Sequence, residues 1–400
     1  MLSVEKAKQA VIENIHLLSV ENISIDNAYG YVLAEDIYSP LALPPFNQSA
    51  MDGYAFIFEN FKNNLQINVI AEVAAGDSFK GTLISGQAIR IFTGALVPDG
   101  ADCIVMQEKI TLENDQLQIL DVAIKQYANI RSKGSQIEKN ELALPKGTSL
   151  TAAAIGFIAG MGITNVNVIR KPKVKIIVTG SELQKPGNIL SGGQIYESNS
   201  YSIIAALKSI GIPTEGAQSV PDNEVETNTI IANSIDSCDI LLLSGGISVG
   251  DYDFVERALN KLEVQTIFYK VKQKPGKPLY FGKYKNTFIF ALPGNPAAVL
   301  TCFYEYVYPA IRLMMGSTLP YSMGGTQTQM PIASDYVKKK GLSFFLKGEI
   351  SDNTVIPLDG QESYILSSFA SADCLIYLPE ESENIKAGQL VEVHKLPGLQ

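Results

Sequence analysis

A chain of 400 residues is too long for one compact core and fits about two to four domains of ordinary size. Lys+Arg 32 against Asp+Glu 41 gives a formal net charge of −9, which repels nucleic acid and anionic membranes at long range and leaves neither as a main partner. Hydrophobic residues at 46% and charged residues at 18% belong to a folded globular protein, not to a disordered one.

Taken in chain order, Val4, Ala7, Val11, Ile15 and Leu18 recur at helical spacing behind Ser3 as N-cap. Charges run throughout this stretch, so it reads as an amphipathic helix and not as a signal peptide, and a cytoplasmic location is expected. Residues 1–40 with 141–170, where a small-residue helix starts near Thr151, are expected to form one discontinuous helical domain. Between them, 41–140 carries short β-like runs (INVIAEV, AIRIF, CIVMQ, LQILDV) cut by Gly, Asn, Asp and Pro, which predicts a β-rich domain. In 171–318 strands and helices alternate: VKIIVTG, SYSIIAALKSIG, NEVETNTIIANSI, DILLLSGG, DFVERALNKL, QTIFYKV, FIFALPG and PAAVLTCFYEYV. That rhythm predicts an α/β domain with a doubly wound, mostly parallel sheet. The short runs SFFLKGEI, TVIPL, CLIYL and QLVEV make 319–400 a separate C-terminal β domain. No apolar run approaches the roughly 18 residues of a membrane span. His16 and His394 cannot supply a multi-histidine metal site, and the four cysteines stand without a CxxC pair, so neither zinc nor a disulfide framework is expected.

Ligands of an open parallel sheet bind beyond the carboxyl ends of its strands. Several segments of 171–318 fall there. LLLSGGISVGDYD carries Ser244, Gly245, Gly246, Ser248, Gly250, Asp251 and Asp253. Its glycines let backbone N–H groups approach an anion, and Asp251 or Asp253 could hold Mg²⁺; a tight turn with Asp253 as N-cap explains the same letters equally well. In FYKVKQKPGKPLYFG, an extended chain puts Lys270, Lys272 and Lys274 on one face before Pro275, Gly276 and Lys277. This suits an anion clamp; a charged edge strand is the alternative, although it has no need of PGKP. FALPGNPAAV places Pro293, Gly294, Asn295 and Pro296 at a helix start, which capping alone accounts for. VTGSEL offers Gly180 and Glu182, a ligand-orienting or metal-binding carboxylate or a helix-dipole partner. GGQIYESN adds Asn199 as a cap. Upstream, Asp52-Gly53 in PPFNQSAMDGYA reads as a turn, and RIFTGALVPDGAD carries Thr93-Gly94 after a strand, where the hydroxyl could contact a ligand; neither points to a site alone.

In this order, SAMDGYA, RIFTGALVP, NIRSKG, TGSEL, GQIYESN, SGGISVGDYD, KPGKP, LPGNP and QESYILSSF resemble the molybdopterin molybdenumtransferase family, molybdenum-insertion proteins related to the C-terminal domain of gephyrin. The likeness spans nearly the whole chain. It implies four domains, the last a β barrel, and an elongated homodimer whose cleft joins the doubly wound domain of one subunit to the β domain of the other. It implies a Mg²⁺-assisted reaction of adenylated molybdopterin with molybdate, in which molybdenum enters the dithiolene and AMP leaves. Both reactants are anions, so glycine loops, helix N-termini, lysines and a divalent cation would offset their repulsion.

Position by position, the resemblance assigns Asp52 and Thr93 to the β-domain side of the cleft. Glu182, Asp222 and Asp253 match its acidic positions, with Asp253 and Glu182 as metal ligands. Lys270 and Lys274 match anion-binding lysines, Pro293 and Pro296 shape the wall, and Ser367 or Ser368 reaches in from the C-terminal domain. Gly180, Ser244, Gly245, Gly246, Ser248, Gly250, Gly276, Lys277, Gly294 and Asn295 complete the substrate-binding loops. Expected protein partners are the molybdopterin adenylyltransferase and recipient molybdoenzymes. Two departures stand out. Gly134-Ser135-Gln136 replaces Gly-Glu-Asp, exchanging a carboxylate for an amide. Lys347 stands at an arginine position and cannot make the same planar bidentate contact. Alternative readings are adenylation of molybdopterin itself, or a ligand-binding paralogue with weakened turnover.

Overall fold

Helix α1 (Val4–Asn14) forms where apolar residues return every three to four positions, and Ser3 Oγ caps it by accepting from Lys6 N at 3.3 Å. It buries Val4, Ala7 and Val11. The helix stops before the end of the apolar pattern because Ile15 is extended and Leu18 N donates to Met314 O at 2.9 Å. The computed structural model describes residues 1–247, 254–317 and 328–397. The chain divides into two units: Met1–Ala34, Ser149–Thr151 and Asn165–Gln400 form the first, Glu35–Thr148 and Ala152–Thr164 the second.

The first unit is built on a sheet with helices on both faces. Its elements are β1 (Val174–Thr179), α2 (Asn199–Ser209), β2 (Thr214–Val220), α3 (Glu224–Ile235), β3 (Ile240–Ser244), α4 (Phe254–Lys261), β4 (Gln265–Tyr269), β5 (Gln273–Lys274), β6 (Tyr280–Tyr284), β7 (Thr287–Leu292) and α5 (Pro296–Cys302). The strand order is β2-β1-β3-β7-β6-β4, without β5. The β2, β1, β3 and β7 junctions are parallel, while β6 and β4 run antiparallel at one edge. Period-2 alternation sorts the side chains. Ile176, Val178, Leu242 and Phe290 pack with α1, α2 and α5; Ile177, Leu241, Leu243 and Ile289 pack with α3 and α4. The chain leaves β1 for β2 on one side and returns through α3 to β3 on the other. The β1/β3 junction is therefore a topological switch point, where the ends of both strands leave a crevice.

The C-terminal strands are β8 (Thr328–Pro331), β9 (Ser343–Ser351), β10 (Thr354–Pro357), β11 (Cys374–Leu378) and β12 (Leu390–Lys395). They are ordered β5-β9-β11-β12-β8, with β10 on β9 and a bridge from Ile332 to Val355 beside it. Strand β5 belongs to this sheet: Gln273 pairs with Ser343 and Lys274 with Phe344. The lysine segment thus leaves the central sheet and is stitched to the C-terminal one.

A buried charge cluster crosses this unit. Glu305, 2% exposed in the turn Phe303–Val307, meets Lys8 Nζ at 2.7 Å and His394 Nδ1 at 2.8 Å. His394 Nε2 lies 2.7 Å from Glu392 Oε1, and the Tyr377 hydroxyl donates to Glu5. An imidazole with a carboxylate at each nitrogen can donate to both only as the imidazolium. Burial pulls its pKa down, but Glu305 and Glu392 outweigh this and hold it above the ordinary value.

The second unit holds a six-stranded sheet. Its order is Cys103–Met106, Gly53–Phe56, Gln87–Ile91, Ile67–Val73, Gln116–Ile119 and Ile110–Glu113. Four of these are the β-like runs of the sequence; Gly53–Phe56, read there as a turn, and Ile110–Glu113 are additional strands. Glycine is required in MDGYA because a Cβ on Gly53 would stand 1.9 Å from Val105 O on the paired strand.

Candidate active site

The site grows from how β1 and β3 end. After Ser244, Gly245 and Gly246 adopt φ +91° and +64°, a backbone region that favours glycine. A Cβ on Gly245 would lie 2.5 Å from Thr179 O, and one on Gly246 2.7 Å from Val255 Cγ2. The double glycine therefore lets the chain turn off β3 directly against the tip of β1. Asn199 Nδ2 donates to Ser244 Oγ at 3.0 Å and to Gly294 O at 2.8 Å, tying the ends of β3 and β7 together. This is a different task from the helix cap read from the sequence. Glu197 does the capping, accepting from Ser200 N at 2.7 Å.

These strand ends open onto a cavity of about 970 Å³. The structure brings Gly180, Glu182, Asp222, Ser244, Gly245, Gly246, Lys274, Gly276, Lys277, Pro293, Gly294, Asn295 and Pro296 to its lining. Ser248, Gly250, Asp251 and Asp253 lie outside the described residues.

The single extended face expected for Lys270, Lys272 and Lys274 does not form. Lys270 is left-handed (φ +68°), and its ammonium sits 4.6 Å from the Tyr269 ring, away from the lining. Lys272 pairs with Glu380 at 2.8 Å. Lys274 and Lys277 are exposed at the cavity. Their turn is braced from beneath by Gln273, only 1% exposed, whose Nε2 donates to Pro275 O at 3.0 Å and whose Oε1 accepts from the Tyr306 hydroxyl. Gly276 is needed because a Cβ there would be 2.5 Å from Cys302 Sγ.

Asn295 and Pro296 do start α5, but its first N–H groups are not directed at an anion. Ser363 O accepts from Ala297 N at 3.0 Å, and Asn295 Nδ2 donates to Ser363 Oγ at 2.7 Å. Leu342, Ser363 and Tyr364 are the C-terminal residues of the described lining. Ser367 and Ser368 sit in the short helix Ser367–Ala370, off the lining, where Ser368 Oγ donates to Gly360 O at 2.8 Å. Lys347 is buried, and its ammonium is spent on the carbonyls of Gly360, Glu362 and Ile365. Burial lowers its pKa, partly offset by Glu362. It organises this loop instead of facing an anion.

The lining sets Lys274 and Lys277 against Glu182, Glu197 and Asp222. Asp222 and Ser181 clamp each other across the ends of β2 and β1: Asp222 Oδ2 accepts from Ser181 N at 3.2 Å, and Asp222 N donates to Ser181 Oγ at 2.9 Å. Among the described residues there is no group of three or more side chains suited to a metal ion. The donor chemistry nevertheless fits Mg²⁺, which binds through one or two carboxylates and completes its shell with water and substrate phosphate. The cysteines offer no thiolate: all four are buried, and burial pushes Cys103, Cys238 and Cys374 up to about 12.

In the second unit, Asp52 Oδ1 accepts from Thr93 N and Thr93 Oγ1, both at 2.8 Å, and these bonds hold its carboxyl below the usual carboxylate range. The sequence places these two residues 41 positions apart, and the fold brings them together. Gln136 N donates to Leu43 O at 2.9 Å. The Glu138 carboxylate crowds the same loop, 2.2 Å from where a Gly134 Cβ would stand.

Residues 2–162 match the MoeA N-terminal region (domain I and II), 175–313 a probable molybdopterin binding domain, and 329–396 the MoeA C-terminal region (domain IV). The chain is 32% identical over 399 residues to a molybdopterin molybdenumtransferase of Haemophilus influenzae, covering 98% of each. It is 38% identical over 304 residues to one of Nostoc sp., covering 74% of this chain and 70% of that one. Two solved structures of the molybdopterin biosynthesis MoeA protein of Pyrococcus horikoshii superpose with TM-scores of 0.82, at 29% and 28% identity. The first covers 100% of both chains, and the second covers 98% of this chain and 99% of that one. No helix among the described residues is long and apolar enough to cross a membrane. The chain belongs to the molybdopterin molybdenumtransferase family.

Proposed function

We propose that this chain inserts molybdenum from molybdate into adenylated molybdopterin with release of AMP, as a step of molybdenum cofactor biosynthesis. The observation that carries the reading is the cavity at the β1/β3 switch point, where the double-glycine turn, the PGK lysines and two strand-end carboxylates converge. Near-full-length similarity to transferases of that name supports it.

The chemistry suits the residues. Molybdate and the substrate's phosphates repel each other, and an ammonium about 4 Å from a phosphate oxygen contributes roughly 4 kcal/mol at an effective dielectric near 20. Lys274 and Lys277 stand where that offset is needed. Glycine at 245 and 246 admits a ligand close to the backbone, and the Ser181–Asp222 clamp holds one carboxylate still. Asp253 and Glu182 would hold Mg²⁺; when bound it supplies charge offset at the phosphates. Asp52, Thr93 and Lys270 remain candidates for the same reaction. A homodimer, a closed C-terminal barrel and a cytoplasmic location belong to the same reading.

Purified protein given adenylated molybdopterin, molybdate and Mg²⁺ should release AMP, and Asp253→Ala should slow that release more than it weakens folding. Substrate that binds but yields no AMP under these conditions removes the reading.

A further inference from the structure

Ser363 and Tyr364 bring to the cavity the loop 358–366, which runs from β10 to the helix Ser367–Ala370. The loop has no regular secondary structure, yet it is pinned along its length. Lys347 Nζ holds the Ile365 carbonyl at 3.0 Å and those of Gly360 and Glu362 beside it. Gln361 Nε2 donates to Lys347 O at 2.8 Å and Leu358 O at 2.7 Å, while its Oε1 accepts from Lys347 N at 2.9 Å. At the tip, Ser363 O is fixed on the first turn of α5. The backbone on both sides of Tyr364 is therefore immobilised.

The Tyr364 side chain is treated in the opposite way. It lines the cavity and is 65% exposed. An exposed aromatic side chain with only two rotatable bonds, carried on a pinned backbone, loses little entropy when a flat partner covers its ring. The described lining holds one other aromatic residue, Tyr196, which is less exposed than Tyr364 (46% against 65%) and is tied down through its hydroxyl, which donates to Asn188 O at 2.7 Å. The remaining described lining mixes glycine backbone, lysines and carboxylates with aliphatic and proline side chains such as Leu183, Ile195, Ile247 and Leu342, none of which presents an aromatic face.

We infer that Tyr364 is a substrate contact whose ring packs on a planar nitrogen heterocycle of the bound nucleotide–pterin, with Lys347 as the residue that positions it. This rests on the functional reading above and adds a contact to it. The pterin and the adenine are two sources of the same flat surface, so the two are tested separately.

The experiment is anaerobic calorimetric titration of the full chain with AMP and, separately, with molybdopterin. It is run on wild type, Tyr364→Ala and Tyr364→Phe, each checked for an unchanged thermal midpoint. Tyr364→Ala should weaken one of the two ligands on the order of tenfold, within the range alanine substitution gives for stacked bases, while Tyr364→Phe binds like wild type. The ligand that responds identifies the ring that stacks. Wild-type affinity for both ligands in Tyr364→Ala overturns the contact alone. An equal loss in Tyr364→Phe overturns it too, by assigning the effect to the hydroxyl. Wild type that binds neither ligand defeats the functional reading itself.

Discussion

Glu305→Gln tests whether the buried charge cluster holds the first unit together. The substitution keeps the shape of the side chain and removes its charge. Lys8 and His394, 13% and 3% exposed, are then left facing a neutral amide. Breaking one partner out of a buried ionic group costs about 3–5 kcal/mol. Lys8 retains some relief, because its ammonium also lies 5.6 Å from the Phe345 ring, so the lower end applies. At about 2–4 °C per kcal/mol for a unit of this size, the thermal midpoint should fall by roughly 6–12 °C. Burial raises the Glu305 pKa, but His394 and Lys8 outweigh that and bring it from 4.5 to about 2. Its contribution is therefore complete above 4.5 and is lost as pH falls toward 2. The His394 pKa is raised above 6.5, so its contribution is complete below 6.5 and is lost as pH rises through the folded value. The cluster contributes most between 4.5 and 6.5. Thermal unfolding followed by circular dichroism across this window and up to alkaline pH should show the largest difference between variant and wild type near about pH 6, narrowing as pH rises. A variant within about 1 °C of wild type there, or a difference independent of pH, refutes the reasoning.

Gly245→Ala forces a Cβ to 2.5 Å from Thr179 O at a positive φ, and denaturant unfolding should register a loss of about 2 kcal/mol or more. Lys347→Met strands the carbonyls of Gly360, Glu362 and Ile365; chymotrypsin should then cut at Tyr364 much faster than in wild type, while Lys347→Arg stays closer to it. Gln273→Leu removes the bonds to Pro275 O and from the Tyr306 hydroxyl, costing about 1–3 kcal/mol, and should raise KM for the adenylated substrate by loosening the turn that carries Lys274 and Lys277.

The strands of 171–318 were legible because β3 and β7 are buried on both faces and read as unbroken apolar runs, and the β-rich runs of 41–140 because turn residues punctuate them. Gly245, Gly246 and Gly276 were legible for a similarly local reason: a turn that tolerates no side chain needs glycine in the letters themselves. What stayed hidden depended on distant pairing. Nothing local marks Gln273 and Lys274 as a strand of the C-terminal sheet, since their partners Ser343 and Phe344 lie 70 positions on. Asn199 read as a cap because its bond to Ser244 spans 45 residues. Glu305 and His394 are 89 apart, and each looks unremarkable alone. Tyr364 sat within a recognised motif, QESYILSSF, but serines downstream drew the assignment because exposure at a cavity leaves no mark on composition.

The most direct test of molybdenum insertion is to follow metal and nucleotide together. The chain is incubated anaerobically with adenylated molybdopterin, molybdate and Mg²⁺, the pterin product is isolated, and its molybdenum is quantified by mass spectrometry beside AMP by chromatography. Insertion predicts that metal in the product and AMP in solution rise together in equal amounts, and that leaving out molybdate abolishes metal loading. AMP accumulating while the pterin stays metal-free contradicts the account.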